Sequence, residues 1–73
     1  MSAKQKPREI LGETIRSHRK NMEMSQEKLA EKANLHHNYI GELERGEKAA
    51  SIDTLVKIAK ALGVKVRDLV ADL

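Results

Sequence analysis

Residues 24–46 read MSQEKLAEKANLHHNYIGELERG, and no other stretch limits the fold of this chain so tightly. They spell two short amphipathic helices joined by a tight turn, with a polar face left over on the second. The hydroxyl of Ser25 can accept from a backbone N–H two or three residues on, so it caps the first helix. Lys28 stands where a capping box would want Glu or Gln, so the box is incomplete. Glu27 still places negative charge in the first turn, where the helix dipole favours it. Leu29, Ala30 and Ala33 form an apolar stripe at helical spacing. Asn34 stops the helix, because Asn tolerates left-handed backbone better than most residues. Leu35 drops into the core, and the second helix starts at His36 or His37, buries Ile40 and Leu43 and finishes by Gly46. Helices this short are not stable alone. Their value is that one docks the other at a fixed angle.

Seventy-three residues make one small domain. A chain of this size buries only about 60% of its unfolded surface, so its stability rests on regular helices or on a partner. There is no Cys, hence no disulfide framework and no thiolate metal site, which fits a reducing cytosol. No apolar run approaches the roughly 20 residues of a membrane span, and the N-terminus lacks a signal-peptide core. His36 and His37 are adjacent, so they point about 100° apart on a helix and do not easily share one ion. His18 is alone, and no metal is expected. There is no Ser-His-Asp arrangement, no Gly-rich phosphate loop and no room for a pocket, so neither catalysis nor a cofactor is expected.

The net charge of +3 is unevenly spread. Residues 1–20 hold six basic side chains against two acidic ones, residues 21–47 three against six, and residues 48–73 five against three. The basic balance mildly favours a polyanionic partner. The acidic middle argues against a simple basic patch. Attraction for phosphate then falls to Lys4 and Lys6 in the N-terminal arm, to helix N-termini, and to Arg45 and Lys48.

Periodicity predicts three further helices and no strand. Pro7 suits the first turn of a helix that runs to about Met22 and buries Leu11, Ile15 and Met22. After a loop over residues 47–51, Ser51 caps a fourth helix, with Asp53 in its first turn. Its apolar stripe is Ile52, Leu55, Val56, Ile58, Ala59 and Leu62, and Gly63 sits where a C-terminal cap belongs. A fifth helix begins near Lys65 or Val66. The expected fold is all-α: a compact five-helix bundle over residues 7–73, preceded by a flexible arm over residues 1–6.

SQEKLA followed by NYIGELERG resembles the phage-repressor type of helix-turn-helix, the lambda-repressor-like or XRE family of DNA-binding regulators. The resemblance covers roughly residues 11–69. The string SQ-x-x-LA…YI-x-x-x-ERG is far more specific than a bare turn pattern. NLHHNYIGELERG is most similar in character to the small restriction–modification controllers of that family. The sequence departs from the family at Glu23, where Gly is usual. Either the backbone there is strained or the first helix runs on.

Stepping about 100° per residue along the third helix puts His37, Asn38, Gly41, Glu42 and Arg45 on one side, and Tyr39, Ile40 and Leu43 on the other. The resemblance implies that His37 and Asn38 touch base edges. Asn pairs bidentately with adenine, and neutral His donates to guanine or accepts from cytosine. Glu42 either accepts from the amino group of cytosine or lies in solvent. Gly41 either lets the backbone approach the groove or is merely a weak helix position. Gln26 matches the family's glutamine that bonds a phosphate and buttresses the first reading side chain, which puts it with the base-contacting set. Phosphate contacts are expected from Tyr39, Arg45, Lys48, Lys4 and Lys6, with a structural role open for Tyr39 as well. Arg19 and Glu44 match positions that form a partly buried ion pair in some phage repressors, so the resemblance implies a structural pair between the first and third helices.

The expected function is sequence-specific binding of double-stranded DNA by a cytoplasmic transcriptional regulator. It would act as a homodimer on a near-palindromic operator, with no small-molecule ligand and no sensing domain after the DNA-binding domain. Val66, Leu69, Val70 and Leu73 exceed the needs of a four-helix core, so they form the expected dimer interface. Otherwise Val66, Leu69 and Val70 cap the monomer core and leave only Leu73. An alternative is a protein-interaction module on the same fold, an antitoxin or coactivator-type domain, which the acidic middle favours. Another is a cut fragment of a longer regulator.

Overall fold

The computed structural model describes residues 5–73. Its helices are α1 (Pro7–Asn21), α2 (Gln26–Ala33), α3 (His37–Glu44), α4 (Ile52–Leu62) and α5 (Val66–Val70), with no strand among the described residues. The expected all-α bundle is the fold observed.

Short-range hydrogen bonds set the helix starts. The Ser25 hydroxyl accepts from the Lys28 N–H at 3.0 Å, and the Ser51 hydroxyl from the Thr54 N–H at 3.1 Å. At α1 and α5 a carboxylate reaches back instead: Glu9 accepts from the Lys6 N–H and Asp68 from the Lys65 N–H, both at 2.9 Å. The ends of α1 to α4 share one device. Glu23, Asn34, Gly46 and Gly63 each take left-handed backbone, with φ of 57°, 56°, 72° and 72°. The N–H of the following residue then donates back to a carbonyl in the last turn. Met24 donates to Arg19, Leu35 to Ala30, Glu47 to Glu42 and Val64 to Ala59. Glu23 therefore ends its helix in strained backbone rather than letting it run on.

Ile15, Leu29, Ile40, Leu43, Ile58, Leu62 and Leu69 are the largest fully buried side chains. α3 packs against both α1 and α2, α2 also meets α4, and α5 closes on α4 and α1. Gly12 sets the distance between α1 and α3. A Cβ built there would lie 2.6 Å from the Glu44 carbonyl oxygen, so the two backbones touch. Gly46 combines positive φ with a close approach, because a Cβ there would lie 2.6 Å from Glu9 Cγ.

Burial corrects three expectations. Met22 is not in the core: α1 stops at Asn21, Met22 is 53% exposed, and Met24 packs against the core instead. Ile52 lies on the stripe of α4 yet is 70% exposed, because it opens the helix and the covered face begins at Thr54 and Leu55. Leu69 is wholly buried in the core, so it has no surface to offer a partner. Val66 and Val70 are half-buried against the same core, and Leu73 stands 57% exposed. The five-residue α5 is mainly a lid on the monomer core.

Candidate nucleic-acid interface

α3 is held from behind by charge. Arg19 of α1 meets Glu44 of α3 in a two-point pair: Arg19 Nε donates to Glu44 Oε2 at 2.6 Å and Nη2 to Oε1 at 3.0 Å. The side chains are 10% and 3% exposed. Arg19 Nη1 also donates to the Met24 carbonyl at 2.7 Å, tying the α1–α2 turn to the same group. Gln26, the first residue of α2, donates through Nε2 to Glu44 Oε1 at 3.0 Å. A carboxylate only accepts, so the Gln26 amide must turn its nitrogen inward and its oxygen away. That oxygen lies 3.5 Å from where a Cβ on Gly41 would sit.

The outer face of α3 carries the predicted readers. His37 and Asn38 are exposed at its first two positions. His36 caps the helix, its Nδ1 accepting from the Asn38 N–H at 3.1 Å. Tyr39 is half-buried and packs on the core, which is the structural role left open for it. Gly41 is buried rather than bare: the ends of the Arg45 and Gln26 side chains lie over it. Its missing side chain makes room for those two groups.

The basic residues at the end of α3 already have anionic partners. Arg45 donates to Glu47 through Nε at 2.8 Å and Nη2 at 3.2 Å. The hydrogen bond from Arg45 holds the Glu47 carboxyl below its usual range, and the same bond raises the Arg45 guanidinium. Lys48 Nζ lies 3.5 Å from Glu42 Oε1. The order of residues does not reveal these pairings, since nothing local signals which acid a flexible base will meet. Lys6 is exposed at the N-cap of α1. Gln5 beside it bonds Glu13, so this end of the arm lies along α1. Lys4 falls outside the described residues.

The expectation of no room for a pocket needs correction. An open groove of about 500 Å³ runs between α1 and α5, lined by Glu13, Thr14, His18 and Asp68 among others. It lies apart from the α3 face.

A short helix crossed by a second, with exposed polar residues at the start of the second and a buried clamp behind, defines a helix-turn-helix regulator of the XRE type. The chain belongs to that family: residues 15–69 match the family described as Helix-turn-helix. It is similar to the control protein C.SmaI of Serratia marcescens, with 47% identity over 62 residues, covering 85% of this chain and 74% of the relative. It is 46% identical over 61 residues to the control protein C.BamHI of Bacillus amyloliquefaciens, covering 82% and 75%. The crystal structure of the restriction-modification controller protein C.AhdI from Aeromonas hydrophila superposes with a TM-score of 0.84 at 34% identity, over 85% of this chain and 94% of that one.

Proposed function

We propose that this chain is a cytoplasmic regulator that binds double-stranded DNA as a homodimer, on a near-palindromic operator, with the N-terminal end of α3 in the major groove. The observation that carries this reading is the pairing of two exposed polar residues, His37 and Asn38, with a helix clamped from behind by Arg19, Glu44 and Gln26. A reader must be held still, and this one is. The named control proteins of similar length support it. Arg45, Lys48 and Lys6 supply phosphate contacts, with Lys4 and Tyr39 as further candidates, and Glu42 is a candidate base contact once it leaves Lys48.

One module of this size makes few base contacts, and a second copy doubles them. The dimer surface assigned here is not Leu69. It is the exposed Leu73, which lines a groove with Pro7, Leu11, Ala49, Ala50 and Leu55, together with the exposed Ile52 at the start of α4.

Selection of bound sites from a random duplex pool tests the reading. The wild type should recover a two-fold site with half-site centres about 34–36 Å apart. Asn38→Ala should cost about 1–3 kcal/mol per base contact and relax one position in each half-site, and His37→Ala a neighbouring one. Lys48→Ala should weaken all sequences about equally. Selected sites that are unchanged in both α3 variants would remove α3 as the reader and favour a protein-interaction module on the same fold.

A further inference from the structure

We infer that His36 is a positioning residue for base reading by α3, an inference that rests on the reading of α3 as the helix that enters the groove. Two of the helices start on a Ser hydroxyl, Ser25 for α2 and Ser51 for α4, each accepting from the N–H three residues on. α3 starts on a ring. Nδ1 of His36 accepts the Asn38 N–H at 3.1 Å, and the His36 carbonyl accepts the N–H groups of Tyr39 and Ile40 at 3.0 and 3.3 Å. One residue thus takes up most of the donors that open this helix.

The same ring lies over His37. The ring centroids are 4.8 Å apart and the planes are 20° from parallel. A hydroxyl cap offers no such surface. His36 therefore acts on both candidate readers, on Asn38 through its backbone and on His37 through the face of its imidazole. An exposed side chain with no neighbour samples several rotamers and must give them up on docking. Stacked on His36, His37 is held in one orientation before DNA arrives. His36 needs no base contact of its own to do this.

Three variants separate the two actions. His36→Asn keeps a side chain suited to an N-cap and removes the ring; His36→Phe keeps the ring and removes the acceptor; His36→Ala removes both. In the free protein, hydrogen exchange at the Asn38 amide should speed up in His36→Ala and His36→Phe, and stay near wild type in His36→Asn. On a duplex selected by the wild type from a random pool, His36→Ala should lose about five- to tenfold in affinity, and the other two less. All three should bind a mixed-sequence duplex within about twofold of the wild type, since phosphate contacts are untouched. Preference should relax only at base pairs that His37→Ala or Asn38→Ala also relaxes. Unchanged exchange at Asn38 in His36→Ala overturns the cap, whatever DNA does. Full affinity in His36→Ala, or equal losses on both duplexes, overturns the positioning role while His37→Ala and Asn38→Ala still show α3 to be the reader. If those two variants relax nothing, the reading of α3 fails, and this inference with it.

Discussion

Glu44 accepts from Arg19 Nε, Arg19 Nη2 and Gln26 Nε2 while almost none of its side chain reaches solvent. Removing one member of such a set strands a buried charge, which costs more than the pair itself contributes. Arg19→Ala and Glu44→Ala should each destabilise by about 3–5 kcal/mol. A domain of this length has only about 4–11 kcal/mol in total, so either change takes much of it. The double variant should cost clearly less than the two single costs added, as measured by a denaturant cycle. Additive effects would mean that the two do not act as partners. Exposed pairs behave differently. Glu47 is held below the usual carboxylate range by its hydrogen bond from Arg45. A depressed folded value means that the pair's contribution is present above the unfolded carboxyl value and lost as pH falls through the folded one. Because the pair is half exposed, the effect on stability should be small. An NMR titration is the sensitive check: Arg45→Ala should move the Glu47 carboxyl back up toward its ordinary range.

Helices of eight residues hold their ends by stop signals as much as by packing. Each of α1 to α4 ends through a left-handed residue, and in three of them it is Asn or Gly. Glu23 is the exception. A residue with a Cβ pays strain in that conformation, and Gly does not. Glu23→Gly should therefore stabilise the domain by up to about 1 kcal/mol, less what the freer unfolded chain takes back. A melting temperature unchanged or lowered in thermal unfolding would show that the Glu23 side chain makes contacts worth its strain. Gly12 calls for the opposite sign. A methyl group there would press on the last carbonyls of α3, so substitution shifts the helix that carries the candidate readers.

At the scale of the whole molecule, the exposed apolar residues are the candidates for contact between copies in the proposed dimer. Leu69 is spent on the monomer core, whereas Ile52 and Leu73 are left outside it. Ile52→Glu should convert a dimer to a monomer in sedimentation at about tens of micromolar, with no loss of helix content. Leu69→Glu should unfold the chain instead, because it puts a charge into the core. A wild type that is already monomeric at that concentration would refute the assignment. The acidic balance of residues 21–47 also becomes intelligible at this scale. Glu44 is buried in the clamp, Glu42 and Glu47 sit on Lys48 and Arg45, and Glu31 pairs with Lys28, so four of the six acids in that segment are paired with bases.

What the sequence determined alone lies within about five residues of itself. Ser25, Ser51, Asn34 and Gly63 cap or stop their helices through bonds to neighbours in the chain, and those bonds form wherever the helix goes. The apolar stripes through Leu29, Ile40, Ile58 and Leu62 were equally legible, since period alone marks a buried face. The Arg19–Glu44 pair was reached through family resemblance rather than spacing. The tertiary structure alone decided where each stripe stops being covered, and so put Met22 and Ile52 in solvent and Leu69 in the core. It alone set Gly12 against α3, matched Arg45 to Glu47 and Lys48 to Glu42, and laid the His36 ring over His37. Local hydrogen bonding depends on the order of residues, whereas burial and the partners of long charged side chains depend on which elements meet.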